Sequence, residues 1–353
     1  MAIDFSALQP LGWSNAFSTQ LSLEQIESSR AARVTGVERG RLAVDAGEGA
    51  FWVTLAGRFL HEQRAPEELP TVGDWVLLER DAPVVTEVLQ RRTLIARRMA
   101  GGTESQAIAA NIDVMVIVGG LDGEFNLHRI ERYLVVAAQA NVIPLVVLTK
   151  ADCVADPASF VARVQERLTG GEAIAVNALA DPLGERLKPW LGAGTTAVVV
   201  GSSGVGKSTL ANNLCGETLQ ATQAVRRDAK GRHTTTSRSL IRPPGGACII
   251  DVPGMREVGL APAAGAVDRQ FRGIAELAQG CRFGDCRHQQ EPGCGVRSAV
   301  ERGEVDPDEW AHYLKLMAEE RHHVAEHVRR QRERVFGRVV REVLAVKRKD
   351  GRR

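Results

Sequence analysis

The feature that most constrains the fold of this chain is a glycine-rich stretch directly after a run of β-branched residues. Residues 197–200 (AVVV) predict a buried strand, and residues 201–209 (GSSGVGKST) match the pattern G-x-x-x-x-G-K-S/T. Such glycines permit a tight turn whose N–H groups surround phosphate oxygens, while the lysine adds positive charge and the next hydroxyl can bind Mg²⁺. The predicted nucleotide-binding residues of this P-loop are Gly201, Ser202, Ser203, Gly204, Val205, Gly206, Lys207, Ser208 and Thr209. A plain glycine-rich turn would require neither the Lys-Ser pair nor the preceding strand.

Buried strands alternate with helices around the P-loop. Strand-like apolar runs occupy residues 114–118, 143–148, 173–176 and 197–200, and helix-like patterns occupy residues 127–140, 160–168 and 208–214. Continuous β-branched runs between helices are typical of a parallel sheet that is covered on both faces. The sequence therefore predicts an α/β nucleotide-binding domain.

A second motif follows the strand predicted at 143–148, at the end where open α/β sheets bind ligands. Thr149, Lys150, Ala151 and Asp152 resemble the Asn-Lys-x-Asp sequence that recognises guanine. An aspartate here can accept hydrogen bonds from the N1–H and the exocyclic amine of guanine, and adenine lacks those donors. A threonine replaces the usual asparagine, and its hydroxyl can either bond the base or brace the P-loop.

Two segments downstream of the P-loop predict the switch elements of a GTPase. Residues 231–236 (GRHTTT) are polar and basic, and one of their threonines can close on Mg²⁺ and the γ-phosphate. Residues 249–254 (IIDVPG) end a strand in Asp-x-x-Gly, whose aspartate holds Mg²⁺ through water and whose glycine amide senses the γ-phosphate. The predicted switch and magnesium residues are Ser208, Thr234, Thr235, Thr236, Asp251 and Gly254.

The order of these motifs is itself informative. A GTPase usually runs from P-loop through both switches to base recognition, whereas here the motif at 149–152 precedes the P-loop and the Asp-x-x-Gly segment comes last. This order predicts a circularly permuted GTPase, because adjacency of strands rather than chain order makes the site. It also means that the second switch leads directly into the C-terminal part of the chain.

The C-terminal part contains a compact cluster of metal-binding residue types. The pattern C-x4-C-x-H-x5-C offers three thiolates and one imidazole, which suffice for one tetrahedral, structural Zn²⁺ with no position left for catalysis. The predicted ligands are Cys281, Cys286, His288 and Cys294. Because the loop has few large apolar residues, metal binding would supply its folding free energy. The six cysteines of the chain are too few for a disulfide scaffold.

The N-terminal part has a different pattern. Short β-rich runs separated by glycines lie between residues 33 and 97, and they predict a small closed barrel such as an OB-fold. Arginine and aromatic side chains on such a barrel are a common surface for RNA, although each tryptophan taken singly is more typical of the core. The candidate RNA-binding residues are Arg39, Arg41, Trp52, Arg58 and Trp75.

Charge and hydropathy narrow the location and the partners. No apolar run reaches the roughly 18 residues of a membrane span, and residues 1–11 have no basic segment typical of a secretory signal. We therefore expect a cytoplasmic protein without a membrane partner. Residues 307 to about 341 have a helical pattern, and residues 321–353 carry far more Lys and Arg than Asp and Glu. The predicted C-terminal helix and tail suit the phosphates of RNA, although a solvated charged face is the more common explanation of such a run.

Taken together, these motifs resemble the ribosome small-subunit-dependent GTPases, the RsgA family, also called YjeQ. The resemblance extends over nearly the whole chain: VGDWV at 72–76, AANID at 109–113, the permuted motif order, the GRHTTT segment and the cysteine cluster. It implies a monomeric, cytoplasmic GTPase that binds the 30S subunit and 16S rRNA, is stimulated by them, and acts late in small-subunit maturation by helping assembly factors leave. The cofactors that it implies are Mg²⁺ with GTP and one Zn²⁺.

The resemblance also implies a role for His233. The residue after Asp-x-x-Gly, often a glutamine that orients the attacking water, is Met255 here, and a thioether cannot hold that water. His233 is the implied catalytic substitute, while a solvent-exposed loop histidine is the alternative.

The predicted fold is a multidomain α/β protein with four parts. They are an N-terminal arm (1–32), an RNA-binding OB-fold barrel (33–100), a circularly permuted GTPase domain (101–262) and a zinc-binding helical domain with a basic helix and tail (263–353). Two other functions stay open: a P-loop kinase or ATPase for a small molecule, which leaves the barrel and cysteine cluster unexplained, and an RNA-binding protein whose nucleotide site is only structural.

Overall fold

A computed structural model of the chain describes most of its residues. The described residues are 3–38, 40–57, 59, 66–98, 105–123, 125–216, 238–243, 245–251 and 264–350. The chain packs as two compact units, Met1–Arg97 with Glu104–Gly259, and Arg98–Thr103 with Leu260–Arg353. Within the described ranges, every helix is too short or too polar to cross a membrane.

The first unit is built from strands and short helices, and the second unit contains a long helix. The described strands are β1 Ser29–Glu38, β2 Arg41–Asp45, β3 Ala50–Leu55, β4 Trp75–Glu79, β5 Val84–Val88, β6 Leu94–Arg98, β7 Ser105–Ala110, β8 Val114–Gly120, β9 Ile143–Thr149, β10 Glu172–Ala175, β11 Thr196–Gly201, β12 Ser239–Ile241 and β13 Cys248–Asp251. The described α-helices are α1 Phe5–Leu8, α2 Asn15–Ser18, α3 Leu23–Ser28, α4 Leu127–Ala140, α5 Pro157–Gln165, α6 Leu183–Leu187, α7 Lys207–Cys215, α8 Ala266–Gln270, α9 Arg272–Ala278, α10 Gly295–Glu301 and α11 Pro307–Asp350.

The nucleotide half of the first unit is a parallel sheet. β10, β9, β8, β11 and β13 lie side by side in this order, and each neighbouring pair is parallel. β12 adds an antiparallel strand beside β13. Val116, Val147 and Val198 are fully buried, which confirms the prediction of a sheet covered on both faces. Each such side chain contributes about 1.5–3 kcal/mol relative to exposure, so the apolar runs fix the sheet.

The N-terminal strands pair in a closed cycle. β1 pairs with β2, β2 with β3, β3 in parallel with β5, β5 with β4, and β4 returns to β1. We call this cycle the five-strand ring. Its buried side chains include Val34, Val44, Val53 and Val85. β12 connects the ring to the parallel sheet, because Gly36 of β1 pairs with Ser239 of β12.

The two tryptophans of the ring differ in environment. Trp75 is fully buried and makes an edge contact with Trp13 of the N-terminal segment, with the ring centroids 4.7 Å apart. This confirms that Trp75 is a core residue. The core interpretation is wrong for Trp52, which is 44% exposed. Side chains alternate along a strand, so the neighbouring Val53 points into the core and Trp52 points outward.

A buried arginine joins the parts of the first unit. Arg33 of β1 donates hydrogen bonds to the carbonyls of Leu11 in the N-terminal segment, Gly73 in the ring (3.2 Å) and Asn111 before β8 (3.0 Å). Burial lowers the pKa of Arg33, since desolvation disfavours the charged form. One side chain thus satisfies carbonyls from three segments that are distant in sequence.

The second unit is helical in its described part. The Glu320 carboxylate, on α11, accepts hydrogen bonds from the backbone N–H groups of Gly265 (3.1 Å) and Ala266 (2.9 Å) at the start of α8. The Tyr313 hydroxyl, also on α11, donates to Asp268 of α8 at 2.9 Å. These contacts hold α8 against the long helix α11. The observed helix starts at Pro307 as predicted and continues to Asp350, beyond the predicted end near residue 341.

Candidate nucleotide site and metal-ligand cluster

The P-loop connects β11 to α7 at the carboxyl edge of the parallel sheet. Gly201, Gly204 and Gly206 have φ angles of 143°, 83° and 90°, which side chains with a Cβ rarely adopt. A Cβ at Gly201 would also lie 2.4 Å from the Val118 carbonyl oxygen. The backbone of residues 201–206 can therefore turn tightly and direct N–H groups toward an anion at the start of α7.

The first residues of α7 carry the charge of the loop. Lys207 is the first residue of α7, and its Nζ donates to the Ser202 carbonyl. Ser208 follows it in the first turn, where its hydroxyl is available to a cation beside bound phosphates. Ser203 and Gly204 are exposed, whereas Val205 is buried. The exposed half of the loop is thus the part that can surround phosphates.

Thr149 braces the P-loop from the neighbouring strand. It is fully buried at the end of β9, and its hydroxyl donates to the Val205 carbonyl at 2.6 Å. The Gly119 carbonyl lies 3.2 Å from the same oxygen. Because the hydroxyl has a single hydrogen, the shorter contact to Val205 is its main hydrogen bond. Of the two roles that the sequence leaves open for this hydroxyl, the structure shows the bracing one.

The other residues of the base-recognition motif lie at the same edge. Lys150 has a φ of 59°, and its ammonium group forms an ion pair with Asp122. The Ala151 N–H donates to the Val176 carbonyl at 3.2 Å, which joins the motif to the end of β10. Asp152 is exposed, so its carboxylate is accessible to a ligand. The motif and the P-loop therefore lie side by side.

Of the predicted switch and magnesium residues, the structure describes Ser208, in the first turn of α7, and Asp251. Asp251 ends β13, pairs with Val199 of β11 and is exposed, so it lies one strand away from the P-loop. The other predicted switch residues lie outside the described residues. They are Thr234, Thr235, Thr236, Gly254 and the predicted catalytic His233, and the RNA candidates Arg39 and Arg58 are outside as well.

Two polar residues at this edge lie outside the motifs that the sequence analysis identified. Asp122 follows β8 and pairs with Lys150, while Arg129 in the first turn of α4 donates to the Ser202 hydroxyl at 2.5 Å. The available sequence signal is Asn126, an N-cap residue whose side chain accepts from the Arg129 N–H at 2.9 Å. This signal predicts where the helix begins, but not what its side chains contact.

The four predicted metal ligands converge in the second unit. The Sγ atoms of Cys281, Cys286 and Cys294 and a ring nitrogen of His288 all lie within 4.8 Å of one another. His288 Nδ1 is 3.5 Å from the sulfur atoms of both Cys281 and Cys294, and these two sulfur atoms are 3.9 Å apart. His288 has a φ of 59°, so the chain turns sharply to bring its ring into the cluster. This arrangement can hold a metal ion.

Hydrogen bonds order the loop around the cluster. The Glu291 carboxylate accepts from the backbone N–H groups of Arg287 (3.0 Å), Gln289 (2.9 Å) and Gln290 (3.0 Å). Backbone donors, including its own N–H, lower the pKa of Glu291 to about 2. Burial raises the pKa of Cys281, but hydrogen bonds from the N–H groups of Gly295 and Val296 and from the thiols of Cys286 and Cys294 together lower it below its usual value. These donors favour the thiolate, the form that binds metal ions.

Sequence comparisons identify similar proteins over nearly the whole chain. The model of the RsgA GTPase family matches residues 88–261. The chain is 41% identical over 346 residues to the "Small ribosomal subunit biogenesis GTPase RsgA 2" of Vibrio vulnificus (strain CMCP6), covering 97% of this chain and 96% of that protein. It is 43% identical over 331 residues to the "Small ribosomal subunit biogenesis GTPase RsgA" of Xylella fastidiosa (strain Temecula1), covering 90% and 95%.

Solved structures show the same fold. YjeQ from Thermotoga maritima aligns with a TM-score of 0.61 at 24% identity, over 83% of this chain and 98% of that one. YloQ, described as a circularly permuted GTPase, aligns with a TM-score of 0.58 at 23% identity, over 83% and 95%. At these identities the likeness shows the fold alone, and it confirms the predicted circularly permuted GTPase arrangement.

Proposed function

The chain belongs to the RsgA GTPase family, and we propose that it binds the 30S ribosomal subunit and hydrolyses GTP in a ribosome-stimulated manner during late small-subunit maturation, promoting release of assembly factors. The observation that carries this proposal is the hydrogen bond from Thr149 to Val205, which joins the base-recognition motif to the P-loop. GTPases of this family cleave GTP to GDP and phosphate. The finer roles below are proposed for individual residues of this chain.

The proposed nucleotide contacts follow from the geometry of the sheet edge. The backbone N–H groups of residues 201–206 surround the phosphates, Lys207 faces the β- and γ-phosphates, and Asp152 accepts from the guanine edge. Ser208 and Asp251 are the described residues that would hold Mg²⁺, which would neutralise charge on the phosphates of the nucleotide. The Lys150 stem covers one face of the base, with Asp122 fixing its ammonium group.

The proposed catalytic step relies on the first switch. His233 orients the attacking water, and one of the threonines at 234–236 closes on Mg²⁺ and the γ-phosphate. Met255 at the usual glutamine position supports this assignment, because its thioether makes only weak hydrogen bonds. Ribosomal RNA that orders the switch would raise turnover, since positioning accounts for much of the catalysis of phosphoryl transfer.

We propose that the five-strand ring is an OB-fold barrel that contacts 16S rRNA. The strand order of the ring, with β3 parallel to β5 and β4 returning to β1, supports this fold. Its outer face at β2 and β3 carries Trp52, and the Arg41 guanidinium lies 4.0 Å from the centroid of the Trp52 indole. An exposed aromatic ring paired with an arginine suits stacking against an unpaired base.

We propose that the four-residue cluster binds one structural Zn²⁺. Zinc bonds of about 2.3 Å to sulfur and about 2.0–2.1 Å to nitrogen give, in a regular tetrahedron, about 3.8 Å between sulfurs and about 3.5 Å between sulfur and nitrogen. The distances of 3.9 and 3.5 Å in this cluster support that fit. With three thiolates and one imidazole, the ion would have no open position, so it stabilises the loop and takes no part in catalysis.

The zinc-binding unit and the basic helix α11 are proposed to face 16S rRNA as well. In the sequence, the second switch at residues 251–254 is followed closely by the C-terminal stretch of this unit, which starts at Leu260. The nucleotide state would thereby change the affinity for the 30S subunit and promote the release of assembly factors. The protein would act in the cytoplasm as a monomer.

Cosedimentation with purified 30S subunits tests this function. We expect more of the full chain in the 30S pellet with a non-hydrolysable GTP analogue than with GDP. Trp52→Ala should weaken binding roughly tenfold, because stacking on one base contributes about 1–3 kcal/mol. Ile143→Ala, which removes another exposed apolar side chain (55% exposed), is the matched control and should bind normally. Failure to pellet in every nucleotide state would contradict the proposal.

The two alternative functions predict different outcomes. If the chain is an RNA-binding protein whose nucleotide site is only structural, 30S binding will be equal with GTP analogue, GDP and no added nucleotide. A small-molecule kinase or ATPase would instead show equal competition by ATP and GTP for the site. The exposed Trp52 and Arg41 pair favours RNA binding over the kinase.

A further inference from the structure

An arginine outside the GTPase motifs reaches the P-loop. Arg129 lies in the first turn of α4, where its backbone N–H donates a hydrogen bond to the Asn126 side chain at 2.9 Å. Its Nη1 donates to the Ser202 hydroxyl at 2.5 Å. The carbonyl of the same Ser202 accepts from Lys207 Nζ. Two positively charged side chains from different helices therefore hold one residue of the loop.

The connection before Arg129 also contacts the base-recognition motif. The Leu121 N–H donates to the Thr149 carbonyl at 3.0 Å, and Asp122 pairs with Lys150. Leu121 and Asp122 thus touch the base-binding end of the nucleotide site, and Arg129 touches its phosphate-binding end. An element in this position can fix the two ends relative to each other.

The P-loop is braced at two points with an exposed segment between them. Thr149 holds the Val205 carbonyl and Arg129 holds the Ser202 hydroxyl, while Ser203 and Gly204 between these points are exposed. A glycine-containing loop loses conformational entropy when it closes around phosphates. Bracing it in advance lowers that cost and raises affinity for the ligand.

We propose that Arg129 is a positioning residue of the nucleotide site, which acts through the Ser202 hydroxyl to hold the P-loop in its phosphate-binding conformation. The inference rests on the proposed role of the P-loop in binding GTP. Because Arg129 contacts the loop at Ser202 and the proposal assigns it no contact with the γ-phosphate, it stabilises the GDP and GTP complexes alike. Its loss should raise KM and leave kcat nearly unchanged, which is the signature of lost uniform binding.

A double-mutant cycle on the full chain tests the proposal. The variants are Arg129→Ala, Ser202→Ala and the double variant, and the measurement is the Kd for GDP and for a non-hydrolysable GTP analogue. We expect each single variant to bind both nucleotides roughly five- to tenfold more weakly, since one charge-assisted hydrogen bond to an exposed group is lost. The double variant should be no weaker than Arg129→Ala, because both changes remove the same contact.

Three comparisons make the outcome decisive. Arg129→Lys keeps a charged donor and should recover part of the affinity. Lys188→Gln removes one charge at a side chain that is 70% exposed and should bind nucleotide as the wild type does. Lys207→Ala should abolish tight binding, and if it does not, the proposed nucleotide site itself has failed rather than the role of Arg129.

Three results would overturn the role of Arg129 while Lys207→Ala behaves as expected. The first is wild-type affinity of Arg129→Ala for both nucleotides. The second is additive losses for Arg129 and Ser202, because Arg129 would then not act through the Ser202 hydroxyl. The third is a loss confined to the GTP analogue, because Arg129 would then contact the nucleotide directly. A melting temperature within about 2 °C of wild type establishes that the variants are folded.

Discussion

Replacement of Thr149 by valine tests how strongly the base-recognition motif supports the P-loop. The hydroxyl donates to the Val205 carbonyl at 2.6 Å in a fully buried position. A methyl group approaches an oxygen no closer than about 3.3 Å, so the carbonyl must retreat by roughly 0.7 Å or the side chain must rotate. A buried acceptor that loses its donor costs about 1–3 kcal/mol.

That cost is shared between folding and binding. The hydrogen bond joins two segments of the folded chain, so part of the loss appears as a lower melting temperature, by about 2–6 °C for 1–2 kcal/mol. The displaced loop weakens nucleotide binding by the remainder, which we expect to be roughly tenfold in the Kd for GDP, equivalent to about 1.4 kcal/mol. Titration calorimetry and thermal melting measure the two parts on the same preparation.

Thr149→Asn is the matched comparison for the valine variant. Asparagine is the usual residue at this position of the motif, and its amide can donate to the Val205 carbonyl. We expect this variant to bind GDP within about threefold of wild type, a difference of roughly 0.7 kcal/mol. If Thr149→Val binds GDP as tightly as wild type and melts at the same temperature, the hydroxyl does not brace the P-loop.

Three further perturbations address the other parts of the molecule. A chelator should release about one equivalent of Zn²⁺, measured with a zinc-sensitive dye, and unfold the loop of the second unit, measured by circular dichroism. Cys294→Ser should lose the ion and unfold the same loop. A metal-free chain with an unchanged spectrum would contradict this. His233→Ala should lower 30S-stimulated kcat by about 10²-fold while GDP affinity stays the same, and an unchanged kcat would remove His233 from the mechanism. Arg33→Ala should destabilise the chain by about 3–5 kcal/mol in urea unfolding, because it leaves a cavity and the carbonyls of Leu11 and Asn111 without this donor, and a loss below about 1 kcal/mol would show that the buried arginine is dispensable.

Much of the fold follows from local sequence. Parallel strands buried on both faces must be apolar throughout, so the runs at 114–118, 143–148 and 197–200 could be recognised without an alignment. The order of the motifs then fixed the permuted arrangement, since each motif belongs at a particular strand end. The cysteine cluster was equally predictable, because its four ligands are close together in sequence.

The rest depends on contacts that sequence spacing does not encode. The outward direction of Trp52 follows from the face that β3 buries, and a single tryptophan does not reveal that face. The sequence does not predict that Trp13 in the N-terminal arm packs against Trp75, because these residues are far apart in the chain. Arg129 likewise contacts Ser202 only because α4 and α7 start at the same edge of the sheet.

The most direct measurement of the central claim is the rate of GTP hydrolysis by the full chain with and without purified 30S subunits, with Lys207→Ala as the inactive reference. We expect slow turnover alone, an increase of at least tenfold with saturating 30S subunits, and no hydrolysis above background by Lys207→Ala in either condition. Equal rates of the wild-type chain with and without 30S subunits would contradict the claim that the ribosomal subunit controls this GTPase.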